Sequence, residues 1–449
     1  MASATDIQSK PRHLSAFHRR PLWMLAIALL CLLIAVAGRI LIDGMQSTAT
    51  VAAPVPLERS AEDAIARLQR RLQVNPDDVD AYAQLGLGLL QQVRESGDMS
   101  LYTRAGEAFA AALQRDPLHV DALMGQGVLA LALHDFHGAL EWGAQARAQN
   151  PFRAAIVGIL VDAQVELGRY QDAVATLQEM VDLRPDLQSY SRISYLRELH
   201  GDADGAIEAM QMAVSSAAPG TEDWRWTLTH LGHLYFNRGE LVQAAAIYQE
   251  VLAQQADYPY AQAGLANVTA AQGDVARAIA QYQSVVDRLP LPQFVIALGE
   301  LQEAAGNEAA AQEQYELVRV MQQLNSAAGM NVDLEMALFD ANHGTDHRQI
   351  VTEARNAYAD RPTIYGADAL AWALYQDGQY DEAWTYSQEA LRLGTQDALL
   401  HYHAGMIAEV RGDSASARNY LEQALAINPY FSVLDVPVAE GVLAGLRGE

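Results

Sequence analysis

Prolines 117, 151 and 185 stand 34 residues apart, behind Asp116, Asn150 and Arg184, and similar proline-terminated segments recur at Pro76, Pro290, Pro362 and Pro429. A fixed period in this range is the mark of a repeat array. One such unit cannot bury its apolar face alone, so neighbours must stack and share a continuous core. That resolves a difficulty of length, because 449 residues exceed what a single compact core normally encloses.

The units are helical. Alanine, leucine and glutamine dominate, and no apolar/polar alternation persists for more than a few positions, so the pattern has the helical period and not the strand period. A small residue stands twelve positions before the unit's proline and another five before it: Ala105 and Ala112, Ala139 and Ala146, Ala417 and Ala424. Small side chains there let two helices approach closely, and a large residue between them, Phe109 or Leu421, fills the gap. The first helix of a unit carries a Leu-Gly pair followed by a large residue, as in Leu85-Gly86 with Leu89 or Leu231-Gly232 with Tyr235. Glycines 168, 239, 273, 306, 378 and 412 then mark the turn between the helices, where helix stops favour glycine.

These residues resemble the tetratricopeptide repeat (TPR) family, with its pattern W-x-x-L-G-x-x-Y, A-x-x-x-F and P, in a membrane-anchored bacterial type. The resemblance implies an all-α superhelical solenoid, right-handed, whose concave groove takes peptides or proteins. A lone second helix is expected over 60–76, about ten units over 79–429 and a closing helix near 437–446. Signature residues thin out at 187–219 and at 325–362, and the insertion RESGDMSLYTR in the first unit is expected to project as a longer turn.

The N-terminus has another character. Leu22 to Gly38 is 17 residues without a charge, continued by ILI after Arg39, the short end of the range for a spanning helix. Lys10, Arg12, Arg19 and Arg20 precede it and almost no positive charge follows, which orients the N-terminus to the cytoplasm and the array to the extracytoplasmic side. The expected organisation is a basic tail at 1–21, a transmembrane anchor at 22–42, a linker at 43–58 and the array at 59–449. Cleavage after Ala37 is the competing reading, since Ala35-Val36-Ala37 fits a signal-peptidase site; it exports the same body.

Charge excludes one class of partner. Of 30 basic and 55 acidic residues, five basic and two acidic fall in 1–43, leaving 25 and 53 in 44–449, a net of −28. A body this acidic repels phosphate backbones, so nucleic acid is not expected as a partner. Cys31, the only cysteine, lies in the apolar segment, leaving the body without disulfide, thiolate metal site or cysteine nucleophile.

No hydrolase elbow or phosphate-binding loop occurs, nearly every residue after the linker belongs to a repeat, and no enzyme activity or cofactor is expected. The histidine pairs His134/His137, His230/His233 and His343/His347 have chelating spacings but no third ligand nearby in sequence. An extracytoplasmic metal-handling role is therefore the alternative function and a metal site is not assigned. His401 and His403 lie two residues apart, about 200° around a helix, and cannot share an ion. In the family, positions 2, 5, 9 and 12 of a unit line the groove. Carried onto this chain, they make Trp226, His233, Phe236, Tyr260, Tyr365, Trp372, Tyr375 and Tyr402 the expected partner-binding residues of a non-catalytic scaffold.

Overall fold

The computed structural model describes residues 61–327, 329–331 and 333–448. The expected tail, anchor and linker lie outside them. Among the described residues there are 22 helices and no strand, and none of the helices is long and apolar enough to cross a membrane.

A lone helix, α1 (Ala61–Val74), precedes ten antiparallel pairs. These are α2 (Val79–Ser96) with α3 (Ser100–Arg115), α4 (Val120–Ala132) with α5 (Phe136–Gln149), α6 (Ala154–Glu166) with α7 (Tyr170–Leu183), and α8 (Leu187–Leu199) with α9 (Ala203–Ser216). Next come α10 (Glu222–Asn237) with α11 (Leu241–Gln254), α12 (Pro259–Ala271) with α13 (Val275–Arg288), and α14 (Pro292–Ala304) with α15 (Glu308–Ala327). The last three are α16 (Asp333–His343) with α17 (His347–Asp360), α18 (Ile364–Gln376) with α19 (Tyr380–Ala390), and α20 (Ala398–Val410) with α21 (Ser414–Ile427). Helix α22 (Asp435–Arg447) closes the array.

Local chemistry sets the boundaries. Second helices end two residues before the periodic prolines, at Arg115, Gln149, Leu183, Arg288, Asp360 and Ile427, because a residue before proline is pushed out of the helical region. Five second helices start on a side-chain cap: Asp135, Asp202, Asp274, Asp346 and Asp413 each accept a bond from the backbone N–H three residues on, satisfying an orphan donor. The insertion in the first pair does not project as a long turn. Most of it is absorbed as helix on either side of a short turn, α2 running 18 residues to a left-handed Gly97, because no breaker precedes Gly97 and Leu90, Val93 and Leu101 are buried beside it. At 187–219 the thinned signature still makes a regular pair.

The small residues act as expected: Ala105, Ala112, Ala139, Ala146, Ala417 and Ala424 have no exposure at all. Phe109 and Leu421 are also fully buried. Between pairs, the ring of Tyr248 on α11 occupies the space that a Cβ would need at Gly232 on α10 and Gly264 on α12, so glycine at both positions is a steric condition of stacking.

The array coils back on itself. The turn inside each of the first five pairs meets the loop that follows the pair five places later. Gly97 touches Leu289, Leu133 and His134 meet Asn331, Gly168 meets Pro362, Gly201 meets Gly394, and Gly239 meets Asn428 and Pro429. The bonds crossing this seam span 194 residues for Tyr170–Ile364, 195 for Glu166–Arg361 and 197 for His134–Asn331, a little under six 34-residue units.

Candidate partner-binding pocket

Helix α10 begins on Thr221, whose hydroxyl caps Trp224 N–H, and Glu222 and Asp223 in the first turn suit the positive end of its dipole. From that start, Trp226, His230 and His233 fall at i, i+4 and i+7 on one face of the helix. The indole of Trp226 stacks on His230 with ring centres 3.8 Å apart, and His230 meets His233 edge-on at 5.4 Å. His233 is fixed by a 2.7 Å bond between its Nδ1 and Tyr248 Oη. On the next first helix Tyr260 packs edge-on against Phe294 of α14, 5.7 Å away.

These side chains line one cavity of about 780 Å³. Phe236, Asn267 and Glu300 complete its helical wall, and the opposite wall is the segment 429–437, which contributes Tyr430, Phe431, Val433 and Val436. Its lining mixes aromatic and aliphatic side chains with polar ones, and Glu300 is the one carboxylate in it. Burial lowers the His230 pKa, partly offset by its bond to the Trp226 carbonyl. Burial, with His230 adding to it, pushes His233 down to about 3. Both imidazoles are neutral at pH 7, and the surface offered to a ligand is aromatic, flat and 41% open at Trp226.

The other four expected groove residues are placed differently. Trp372 is 4% exposed and Tyr402 2%, so neither presents itself on an open groove. Trp372 is held between Tyr375 (4.6 Å) and His403 (4.0 Å), with Nε1 donating to Asn342 Oδ1 at 2.6 Å. Tyr402 packs on Phe431 at 5.5 Å. Phe431, after the last repeat helix, covers Tyr402, while Trp372 is enclosed by Tyr375, Tyr402 and His403, which helical spacing does not reveal. Tyr375 is half-buried in the same cluster. Tyr365 lines a second, smaller cavity of about 310 Å³ with Tyr195, Asp368 and Asp397, where burial and then Asp368 raise the Asp397 pKa. Since α6 and α8 face α16, α18 and α20 across that cavity, the first helices line the inside of the coil.

The histidines also separate. His403 is buried with Nδ1 donating to Asp368, 2.9 Å from Oδ2, while His401 turns away to the Thr395 carbonyl at 3.3 Å. His134 bonds the Asn331 carbonyl, His137 pairs with Asp360, and His343 stacks on Tyr315. Among the described residues no three His, Cys, Asp or Glu side chains are placed to hold a metal ion.

The family model for the tetratricopeptide repeat matches residues 90–154, 160–221, 230–291 and 369–430, more than half of the chain. The chain belongs to the tetratricopeptide repeat family. The matched stretches omit the two TPR pairs over 292–360, which the fold supplies; the first of them keeps the glycine under a ring, Gly299 against Tyr315. Among solved TPR and other structures, the human IFIT1 dimer with PPP-AAAA is 16% identical, with 74% of this chain and 77% of that one covered at a TM-score of 0.47. The APC/C hetero-tetramer Cut9-Hcn1 is 14% identical over 86% and 93% at 0.38. A thermophilic TPR protein from Thermus thermophilus is 22% identical over 43% and 99% at 0.38. Compared by sequence with curated proteins, the chain matches none. TPR proteins bind protein partners and are generally scaffolds without chemistry of their own. What sequence reasoning missed here is the 429–437 wall; the apolar Tyr430-Phe431 directly after the last periodic proline was its signal.

Proposed function

We propose that this TPR protein is a non-catalytic adaptor, anchored through residues 22–42 with its N-terminus in the cytoplasm, that captures a protein or peptide segment on the extracytoplasmic side. The observation that carries it is the cavity formed by Trp226, His233, Phe236 and Tyr260 against 429–437. It has the size and the aromatic side chains of a site for one or two large side chains, and exposed aromatics at the mouth of a pocket are the usual anchors of a partner. The acidic body favours a partner whose flanking residues are basic.

The full-length chain, purified in mild detergent and used as bait in an envelope extract of its own organism, tests this. Wild-type bait is expected to enrich a defined partner at least about tenfold over Trp226→Ala/Tyr260→Ala bait, equivalent to a loss of about 1.4 kcal/mol or more. Equal enrichment by a mutant of unchanged helicity sinks the pocket. Protease added outside intact cells or spheroplasts must digest the array; protection of the array there overturns the topology.

A further inference from the structure

The seam between coils has two halves, and each half is also present unpaired. Turns of the first five pairs meet loops five pairs on, so among the described residues the loops at the start of the array and the turns at its end have no such counterpart. At the starting loops, Val74 at the end of α1 is 87% exposed, Leu118 60% and Phe152 80%, unusually open for large apolar side chains. On the final turns, Gly273, Gly306, Gly378 and Gly412 have nothing within 4 Å of where a side chain would begin, whereas Gly168 and Gly201 are pressed against the backbone of Pro362 and Gly394. Positive φ accounts for glycine at both sets of turns. The difference between them is only whether a loop is seated there.

We infer that a second copy of this chain seats its starting loops on the final turns of the first, continuing the coil head to tail. The register follows from the internal seam. α22 is a lone first-type helix at one end and α1 a lone second-type helix at the other, and together they stand for one unit across the junction. Counting five pairs on then sets loop 75–78 of one copy on Gly273 of the next, loop 116–119 with Leu118 on Gly306, loop 150–153 with Phe152 on the turn at 344–346, and loop 184–186 on Gly378. Arg184, whose side chain is 74% exposed and paired with Asp186 of its own chain, thereby comes to the turn that carries Asp377. A contact of this kind is heterologous, and a screw arrangement leaves it open-ended. The acidic bodies oppose it at long range, so added salt strengthens association by screening.

The test uses the full-length chain in detergent, with Cys31→Ser as background. Copies carrying Leu118→Cys and differently tagged copies carrying Asn307→Cys are expected to form a mixed disulfide under mild oxidation. Leu118→Cys with Gln379→Cys, two turns out of register, is expected to remain unlinked. Sedimentation is expected to shift from monomer to dimer and longer species with concentration, and Leu118→Glu/Phe152→Glu, with unchanged helicity and the same N-terminal segment, to lose that shift. A monomer throughout, association that survives the double glutamate variant, or linkage at 379 as readily as at 307 overturns the inference.

Discussion

The hydroxyl of Tyr170 accepts a 2.9 Å hydrogen bond from the backbone N–H of Ile364, 194 residues further along the chain. Ile364 is the first residue of α18 and fully buried, so its N–H is one of the donors that a helix start leaves without an internal partner. One phenol thus completes a helix cap and ties one turn of the coil to the next, beside the Glu166–Arg361 pair at 2.6 Å.

Tyr170→Phe keeps the ring and orphans that N–H. The expected cost is about 1–3 kcal/mol, the penalty of an unsatisfied buried donor. Thermal unfolding measures it, and hydrogen exchange should show faster opening at the start of α18 and at the α6–α7 turn, leaving α12 and α13 unchanged.

The pair His403–Asp368 is buried on both sides. Asp368→Ala leaves His403 Nδ1–H without an acceptor and should cost about 1–3 kcal/mol. Asp368→Asn retains a carbonyl oxygen and should recover most of it. Urea midpoints of the two variants check the order.

Trp226→Ala and Trp372→Ala should behave in opposite ways although both sit on first helices. Removing the buried indole of Trp372 forfeits its stacking and leaves a void, for about 3–5 kcal/mol. Trp226→Ala should move stability by less than about 1 kcal/mol, as expected where a side chain is substantially exposed, while abolishing capture. Circular dichroism melts beside pull-downs separate the two.

His233 makes the pocket acid-sensitive. Its folded pKa, pushed down to about 3 from the ordinary 6.5, means that below pH 6.5 the unfolded chain takes up a proton that the folded chain refuses. Stability therefore falls as pH drops from about 6.5 towards 3. At pH 5 the loss from this group is about 1–2 kcal/mol, and His233→Gln should remove that part of the slope. Melting temperatures of both proteins at pH 7.5 and pH 5 decide it.

Much of this architecture is legible along the chain because its causes are local. A proline ends a helix whatever surrounds it, a positive φ selects glycine at 168, 239, 273, 306, 378 and 412, and Ala105 and Ala112 are small because a neighbouring helix axis passes close by. The candidate site was half legible. Trp226, His233, Phe236 and Tyr260 share a cavity because they lie on successive first helices, which repeat register predicts. Trp372 and Tyr402 obey the same register, yet Phe431 after Pro429 covers Tyr402, and Trp372 is enclosed by Tyr375, Tyr402 and His403.

The sequence by itself determined that the chain makes paired helices, where most of them begin and end, and which face of each turns to its neighbour, since these depend on interactions within a few dozen residues. Only the tertiary structure decided that turns meet loops five pairs on, that segment 429–437 walls the pocket, and which aromatics stay open. Those outcomes depend on the small rotation between adjacent units summed over nearly six of them, and no residue pattern within one unit encodes that sum.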